Sequence, residues 1–136
     1  FIASSANPDP AIHGRGFVAR LSGSTAELLH IWQVMVFGKT PFFLEDGQLR
    51  LRFDPFVPDY LMDKAGSVEA VFLGKTKVVY HTQQEALVPG ETVPYRYVLT
   101  SADGMKAQED GSVLSEAAAL SVRRGDILRI DVFIGR

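Results

Sequence analysis

The sequence predicts a mainly β protein: an antiparallel two-sheet sandwich or jelly roll, preceded by one helix over about residues 24–37. Beyond residue 41, apolar and polar residues alternate with a period of two, as Leu49, Leu51 and Phe53 do around their polar neighbours. Turn-forming pairs such as Asp46-Gly47 separate these short runs. Helical segments do not recur between the runs, which argues against a parallel sheet built from crossover helices.

The one long helix is predicted from its end signals and its apolar content. Ser24 stands three residues before Glu27, the spacing of a capping box, so we expect the helix to begin there. Residues 26–37 are apolar on almost every face, which is typical of a helix that neighbouring elements cover. Gly38 suits the left-handed position after a helix, and Pro41 prevents continuation.

Hairpins are predicted on both sides of residue 60. The first joins residues 42–44 to residues 49–53 through Asp46-Gly47. The second joins residues 68–72 to residues 78–80 through a turn at Gly74-Lys75. Upstream of both, the brief apolar run Phe17-Val18-Ala19 is interpreted as extended chain or a short strand.

The rest of the chain continues the pattern of short strands and turns. Tyr95, Tyr97 and Leu99 are expected to face one way along a further strand. Residues 115–120 are rich in alanine and suit one helical turn, and residues 127–134 form the best-defined strand. The side chains expected to point inward between the two sheets are Leu49, Leu51, Phe72, Val132 and Ile134.

Composition limits the classes of partner. The chain has 136 residues, enough for about one domain, and a formal net charge of -2. Its basic residues are scattered, so we expect no nucleic-acid partner. No apolar stretch is long enough for a bilayer span, and no secretory signal pattern opens the sequence. The absence of cysteine fits a reducing cytoplasm, which is the expected location.

Histidines and acids indicate no catalytic or metal site. His13, His30 and His81 are too dispersed for a ligand cluster and are interpreted as a loop, a partly buried helix and a strand-end histidine. We therefore predict neither a metal nor an organic cofactor. Most carboxylates fall in expected turns, and no pair has a spacing that singles it out as a glycosidase acid pair. Asp131 alternates with apolar neighbours, so it should face solvent or an arginine.

Two groups of residues could bind a ligand, although each also has a structural interpretation. Aromatic rings can stack on sugars, but their spacing favours core packing for Trp32, Phe42, Phe43, Tyr95 and Tyr97. The turn Ser22-Gly23-Ser24-Thr25 opens the helix with small residues and hydroxyl groups. Free backbone N–H groups and the helix dipole make such a turn suitable for an anion, while capping alone explains it equally well.

The order of these segments resembles the end of the cellobiose and chitobiose phosphorylase family, including relatives that act on β-1,2-glucans. The resemblance covers residues 17–81 well and the remainder in outline. In that family, a Thr-Gly-Thr-Ala-type turn begins a late helix of an (α/α)6 barrel, and a Gly-Leu strand with an Asp-Pro and an x-Pro pair begins a C-terminal jelly roll. The matching segments here are residues 21–27, 37–41, 46–51, 53–58, 72–76 and 79–81.

The resemblance implies an activity and a binding role. Family members cleave a β-linked gluco-disaccharide or oligosaccharide with inorganic phosphate and release an α-sugar 1-phosphate with inversion. Ser22 and Gly23 match the Thr-Gly that helps to bind phosphate, with serine in place of threonine. The general acid of the family belongs to an earlier part of the barrel and matches no residue here. Inorganic phosphate would therefore be a co-substrate of a parent enzyme, a glycosyltransferase-type activity.

The resemblance also implies a domain organisation. Residues 1–41 would be the end of the upstream catalytic barrel, and residues 42–136 the C-terminal β domain. The first residue is Phe1, and we expect a cut fragment, with a processed mature form as the alternative. Such a fragment should be inactive on disaccharide and phosphate.

The helix is the part that a fragment would leave uncovered. Because a sheet covers only one side of a helix, Leu28, Trp32 or Met35 should then lie exposed or be covered by another copy in a homo-oligomer.

Two other functions remain open. The chain could be an independent carbohydrate-binding or structural β-sandwich, or part of a related glycoside hydrolase in which water replaces phosphate.

Overall fold

The protein is described by a computed structural model over residues 3–16 and 22–135, apart from the side chains of Ser22 and Ser24. Contacts divide the chain into two compact units, Phe1–His30 and Ile31–Arg136. The run Phe17-Val18-Ala19, predicted as extended chain, lies outside the described residues. This division between residues 30 and 31 reflects only which residues contact one another. It does not test the predicted domain boundary after residue 41, which stays a prediction.

The first unit contains a closed loop before its helix. A short 3-10 helix, Pro10–Ile12, begins after Asp9, whose carboxylate accepts a hydrogen bond from the Ala11 N–H at 2.9 Å. Backbone bonds between Ala3 and residues 14 and 15 close the loop. The hydrogen bonds described for this segment therefore join residues of the segment itself.

Helix α1 spans Ser22–Phe37 and continues from the first unit into the second. It includes two residues upstream of the predicted start. Ser24 therefore lies within the first helical turn, two residues after the helix begins, and the predicted side-chain bonds of a capping box with Glu27 lie outside what the structure describes. The predicted end is confirmed, because the helix stops at Phe37 and Gly38 follows with φ of 93°.

The second unit is mainly β and has two sheets, as predicted. The strands are β1 (Phe42–Glu45), β2 (Gln48–Leu51), β3 (Ser67–Phe72), β4 (Thr76–Thr82), β5 (Val93–Ser101), β6 (Lys106–Asp110) and β7 (Ile127–Gly135). Strands β1 and β2 form a two-stranded sheet, and the others form a five-stranded sheet in the order β3-β4-β7-β5-β6.

One strand pair departs from the antiparallel expectation. β7 pairs antiparallel with β5 but parallel with β4, so the larger sheet is mixed. Two strands and a helix separate β4 from β7 in sequence, and this long connection allows β7 to return in the direction of β4. The other pairs, β1–β2, β3–β4 and β5–β6, are antiparallel hairpins.

The hairpin turns follow from residues that tolerate positive φ. Asp46 and Gly47 have φ of 50° and 77° and connect β1 to β2 directly, as their Asp-Gly pair predicts. Residues 73–75 make the turn between β3 and β4, with Leu73 and Gly74 at φ of 52° and 70°, so the turn contains the predicted Gly74-Lys75 pair and begins one residue before it. Leucine at positive φ is uncommon, so the pairing of the strands must hold this residue in place.

A bulge in β5 overturns one prediction about its faces. Pro94 pairs with Ile134 and Arg96 with Phe133, so Tyr95 is an extra residue in the ladder. Tyr97 and Leu99 are buried as expected, but the bulge rotates Tyr95 outward, where it is 51% exposed. Period-two counting fails at this position because the strand is not continuous there.

Helix α2 spans Glu116–Arg124 and is longer than the single turn expected over residues 115–120. The Ser115 hydroxyl accepts a hydrogen bond from the Ala118 N–H at the start of the helix, and Gly125 ends it in the left-handed conformation. Ala119 and Val122 are its buried residues. The helix packs against β2.

The core lies on the inner face of the larger sheet. Leu51, Phe72, Val132 and Ile134 are buried as predicted, while Leu49 is partly buried against the same cluster. Aromatic rings fill the space between the layers, with Phe37 4.8 Å and Phe53 5.3 Å from the Phe72 ring centre. Much of the stabilisation of the fold therefore comes from this apolar cluster.

The C-terminal end of α1 is fastened to the β core by its backbone carbonyl groups. The last four carbonyls of a helix lack an ordinary helical partner. Here Met35 accepts from the Phe56 N–H at 2.6 Å and Phe37 from the Asp54 N–H at 3.3 Å. The hydroxyl of buried Tyr80 donates to the Val36 carbonyl at 2.6 Å. These bonds fix the last turn of the helix against β4 and residues 54–56.

The middle of α1 is poorly covered. Leu28 is 67% and Trp32 43% exposed, which confirms the expectation for these two residues. Leu29 and Ile31 are also exposed, at 61% and 52%. Met35, the third residue named in that expectation, is half-buried.

Candidate functional site

The outer face of the larger sheet carries a row of aromatic and charged side chains across three strands. Side chains alternate along a strand, so the buried positions Tyr80 and Val132 leave His81 and Phe133 on the opposite face. His81 pairs with Phe133 between β4 and β7, and Phe133 pairs with Arg96 between β7 and β5. The three side chains are therefore cross-strand neighbours.

The rings in this row are in contact. The His81 and Phe133 rings stack with centres 4.8 Å apart and planes at 21°. The Arg96 guanidinium lies over two aromatic rings, 4.4 Å from the centre of the Phe133 ring and 5.7 Å from the centre of the Tyr95 ring. Tyr95 and Phe133 are 6.5 Å apart and tilted by 50°. The bulge that exposes Tyr95 thus adds a second aromatic ring to this surface.

An ionic cluster supports the histidine. Asp131 accepts from His81 Nε2 at 2.7 Å and from Arg129 Nη2 and Nε at 2.6 Å and 2.8 Å. The pKa of the Asp131 carboxyl is lowered, mainly by the hydrogen bonds from Arg129 and to a smaller extent by the hydrogen bond from His81. The carboxylate stays ionised near neutral pH. It faces an arginine as predicted, and its bonds hold the His81 ring against Phe133.

A cavity of about 400 Å³ opens beside this row. Its lining consists of Ala65, His81, Thr82, Gln83, Gln84, Tyr95, Phe133, Ile134 and Gly135. A second cavity of about 380 Å³ adjoins it and shares Ala65, Thr82, Gln83 and Gln84. Its remaining lining is mostly polar or charged: Asp59, Met62, Asp63, Lys64, Gly66 and Glu85. We call these two adjoining cavities the groove: the first has aromatic rings in its lining, and the second has acidic side chains.

The side chains that line the groove can bind a ligand. Flat ring faces and side-chain amides can hold a ligand by stacking and hydrogen bonding. Within residues 3–16 and 22–135, no group of three or more metal-ligating side chains converges.

The predicted phosphate-binding residues are the first two residues of α1. Gly23 is exposed, and a Cβ atom placed on it would meet no described atom within 4 Å. For Ser22 only the backbone is described. Their role in phosphate binding stays a prediction.

The other histidines differ in how well they were predicted. His13 lies in a loop as expected, and its Nε2 is 2.8 Å from the Asn7 carbonyl oxygen. His81 is next to the end of β4, also as expected. His30 was expected to be partly buried, but it is exposed on α1 because the surrounding helical turns are uncovered.

Several carboxylates organise loops and are not simply solvated turn acids. Glu109 accepts from both the N–H and the hydroxyl of Ser115, at 2.8 Å and 2.7 Å, at the start of α2. Asp63 accepts from the Ala65 and Ser67 N–H groups, each at 2.8 Å. These acids therefore have structural partners.

The preference for aromatic core packing holds for only part of the predicted set. Tyr97 is buried, and Phe42 packs against the core. Trp32 and Tyr95 are exposed, the first on the uncovered side of α1 and the second at the bulge. Sequence reasoning also missed Phe133, Gln83 and Gln84 as lining residues. The alternation of Phe133 with buried Val132 and Ile134 was the available signal.

None of the helices in the part of the chain that the structure describes has the length and apolar character needed to cross a bilayer. Comparison of the chain with family models and with curated proteins finds no match.

Proposed function

We propose that the chain is the structural C-terminal part of an inverting glycoside phosphorylase of the cellobiose phosphorylase type. The parent enzyme would cleave a β-linked gluco-disaccharide or oligosaccharide with inorganic phosphate, without a metal or organic cofactor, in the cytoplasm. The chain would contribute the β domain, the end of the catalytic barrel over residues 1–41, and no general acid.

The observation that supports this proposal best is the uncovered apolar surface of α1. Leu28, Leu29, Ile31 and Trp32 are all exposed, although the end of the same helix is bonded into the β core. Exposed apolar side chains of this kind are unfavourable in water and favour association. Helices of an upstream barrel would cover it, and another copy of the chain is the second possible cover.

The proposal assigns phosphate to the beginning of the same helix. Ser22 and Gly23 would present a hydroxyl and a backbone N–H to the anion, beside the positive end of the helix dipole. Charge-assisted hydrogen bonds of this type are stronger than bonds between neutral groups. The phosphate oxygen would attack the anomeric carbon, while an acid supplied by the upstream barrel would protonate the departing sugar oxygen.

The test is the phosphate dependence of the full-length protein carrying Ser22→Ala. Loss of a donor to a charged ligand should weaken phosphate binding by about 1.5–3 kcal/mol, or roughly ten- to more than a hundredfold. Ser24→Ala is the control, because it removes the same hydroxyl group two residues further along the helix, at a residue not assigned to phosphate. Melting temperatures of both variants would show whether folding has changed.

Three results would count against the proposal. A folded Ser22→Ala protein with an unchanged phosphate requirement would remove this turn from the active site. Sugar release without phosphate would identify the related hydrolase, with water as the nucleophile. A full-length protein that only binds sugar would identify the independent carbohydrate-binding module.

A further inference from the structure

We propose that the groove formed by the loop before β3, the ends of β4 and β7 and the bulge of β5 binds a pyranose disaccharide without negative charge, at a site separate in function from catalysis. The proposal concerns only residues 59–135 and does not depend on the phosphorylase activity. It rests on the exposed aromatic rings, on the side-chain amides between the two cavities, and on the charge of the second cavity.

The aromatic end of the groove suits the apolar face of a sugar ring. Tyr95 is 51% exposed although it belongs to a strand, and it lines the first cavity together with half-buried Phe133. Arg96 stacks over Phe133 and His81 stacks on its other cross-strand side, so the Phe133 ring cannot turn freely. Because Arg96 and His81 already pack on Phe133, the stacking surface is the accessible ring of Tyr95, and Phe133 forms a fixed wall beside it.

The middle of the groove supplies hydrogen-bonding groups that suit hydroxyls. Gln83 and Gln84 line both cavities. Each side-chain amide carries donors and an acceptor, which matches the alternating donor and acceptor capacity of neighbouring sugar hydroxyls. Within the described residues, neither glutamine forms a hydrogen bond through its side chain; the one bond of Gln84 to a side chain uses its backbone N–H. As far as these residues are concerned, both amides can turn towards a ligand.

The acidic end of the groove determines the charge of the ligand. The second cavity is lined by Asp59, Asp63 and Glu85 against a single cation, Lys64. Carboxylates accept hydrogen bonds from sugar hydroxyls, but they repel a phosphate or a uronic acid. The acidic end therefore excludes anionic sugars, and the ligand that fits both ends is polyhydroxylated and carries no negative charge.

The size of the groove favours two rings over one. The cavities measure about 400 Å³ and 380 Å³ and share a wall at residues 82–84, each near the lower end of the range for ligand sites. One pyranose ring can stack in the aromatic cavity while the second reaches the polar one. A disaccharide should therefore bind more tightly than its monosaccharide.

The experiment is a titration of the isotope-labelled 136-residue chain with cellobiose, followed by amide chemical shifts in NMR. We expect saturable shifts confined to the groove, at Gln83, Gln84, Tyr95 and Phe133, and weaker binding of glucose. Glucose 6-phosphate should bind no better than glucose, because of the acidic cavity. Shifts elsewhere on the protein, no saturable shifts, or tighter binding of the phosphorylated sugar would overturn the proposal.

Variants locate the site. Tyr95→Ala should lower the affinity for cellobiose about five- to tenfold, through the loss of the stacking ring. Tyr60→Ala is a matched control, since Tyr60 is 79% exposed and lines neither cavity, and it should leave the affinity within about twofold. Gln84→Ala gives a second reading if Tyr95→Ala disturbs the fold. Equal affinities for the native chain, Tyr95→Ala and Gln84→Ala would place the sugar elsewhere.

Discussion

Replacement of Tyr80 by phenylalanine tests whether the Tyr80 hydroxyl on β4 holds the last turn of helix α1 against the β core. Tyr80 is completely buried, and its hydroxyl donates to the Val36 carbonyl at 2.6 Å. Burial raises the pKa of the Tyr80 phenol well above its usual value, so the group remains a donor throughout the physiological range. Tyr80→Phe removes only this oxygen and keeps the ring.

The expected loss follows from the carbonyl that is left behind. Val36 is 2% exposed and lies in the last turn of α1, where no further helical N–H reaches its oxygen. A buried acceptor without its partner costs about 1–3 kcal/mol. A loss of about 2 kcal/mol lowers the melting temperature of a domain of this size by roughly 6–10 °C.

The measurement is urea unfolding followed by circular dichroism, together with amide hydrogen exchange in the native protein. Tyr95→Phe is the control, because it removes the same oxygen from an exposed ring and should change stability by less than about 0.5 kcal/mol. The Asp54 and Phe56 N–H groups, which bond to the end of α1, should exchange faster in Tyr80→Phe. Equal stability of the two variants, or unchanged exchange at Asp54 and Phe56, would refute the role assigned to Tyr80.

Two further predictions follow from the larger sheet and its loops. Gly66→Ala should destabilise the protein by about 3 kcal/mol or more in urea unfolding, because a Cβ atom at this positive φ would overlap the Thr82 carbonyl oxygen. Gly104→Ala, at a similar φ but in open space, should cost only about 1–2 kcal/mol, and equal losses would contradict the steric argument. Because the folded-state pKa of Asp131 is lowered, chiefly by Arg129, its contribution is complete above the unfolded value near 4 and declines as pH falls. Unfolding free energies measured from pH 7 to pH 3 should therefore decline less in Asp131→Asn than in the native chain, and parallel curves would show that the ion pair contributes nothing.

The parts of the fold predicted correctly depend on neighbours in the sequence. A two-residue hairpin turn requires positive φ at two adjacent residues, and Asp46-Gly47 tolerates this conformation. The hairpin between β1 and β2 follows from this pair. Period-two alternation likewise identified Leu51, Val132 and Ile134 as buried. In both cases the information lies within a few residues.

The parts that were missed depend on contacts distant in sequence. The parallel pairing of β4 with β7 joins Lys77 to Arg129 and has no local signal. The bulge at Tyr95 breaks the alternation on which its burial was predicted. Ser24 has an ideal capping spacing, but α1 includes residues upstream of it, because the end signals of a helix permit more than one start.

The candidate site was predictable only in outline. Asp131 was expected to face an arginine, and Arg129 is its partner. The groove itself combines residues from the loop before β3, the end of β4, the bulge of β5 and the end of β7. These residues come together only through the strand order of the larger sheet, which no local sequence pattern specifies.

The position of β7 has a consequence for how the protein folds after synthesis. β7 follows both hairpins, β3–β4 and β5–β6, in the sequence but lies between them in the sheet. Until β7 has left the ribosome, β4 and β5 each have an unpaired edge, and their apolar residues, such as Val78 and Leu99, lack the central strand. The five-stranded sheet is completed only when β7 pairs with both hairpins, and its pairing with β4 closes a long loop. We therefore expect slow folding, and association of incomplete chains through these edges when concentrations are high.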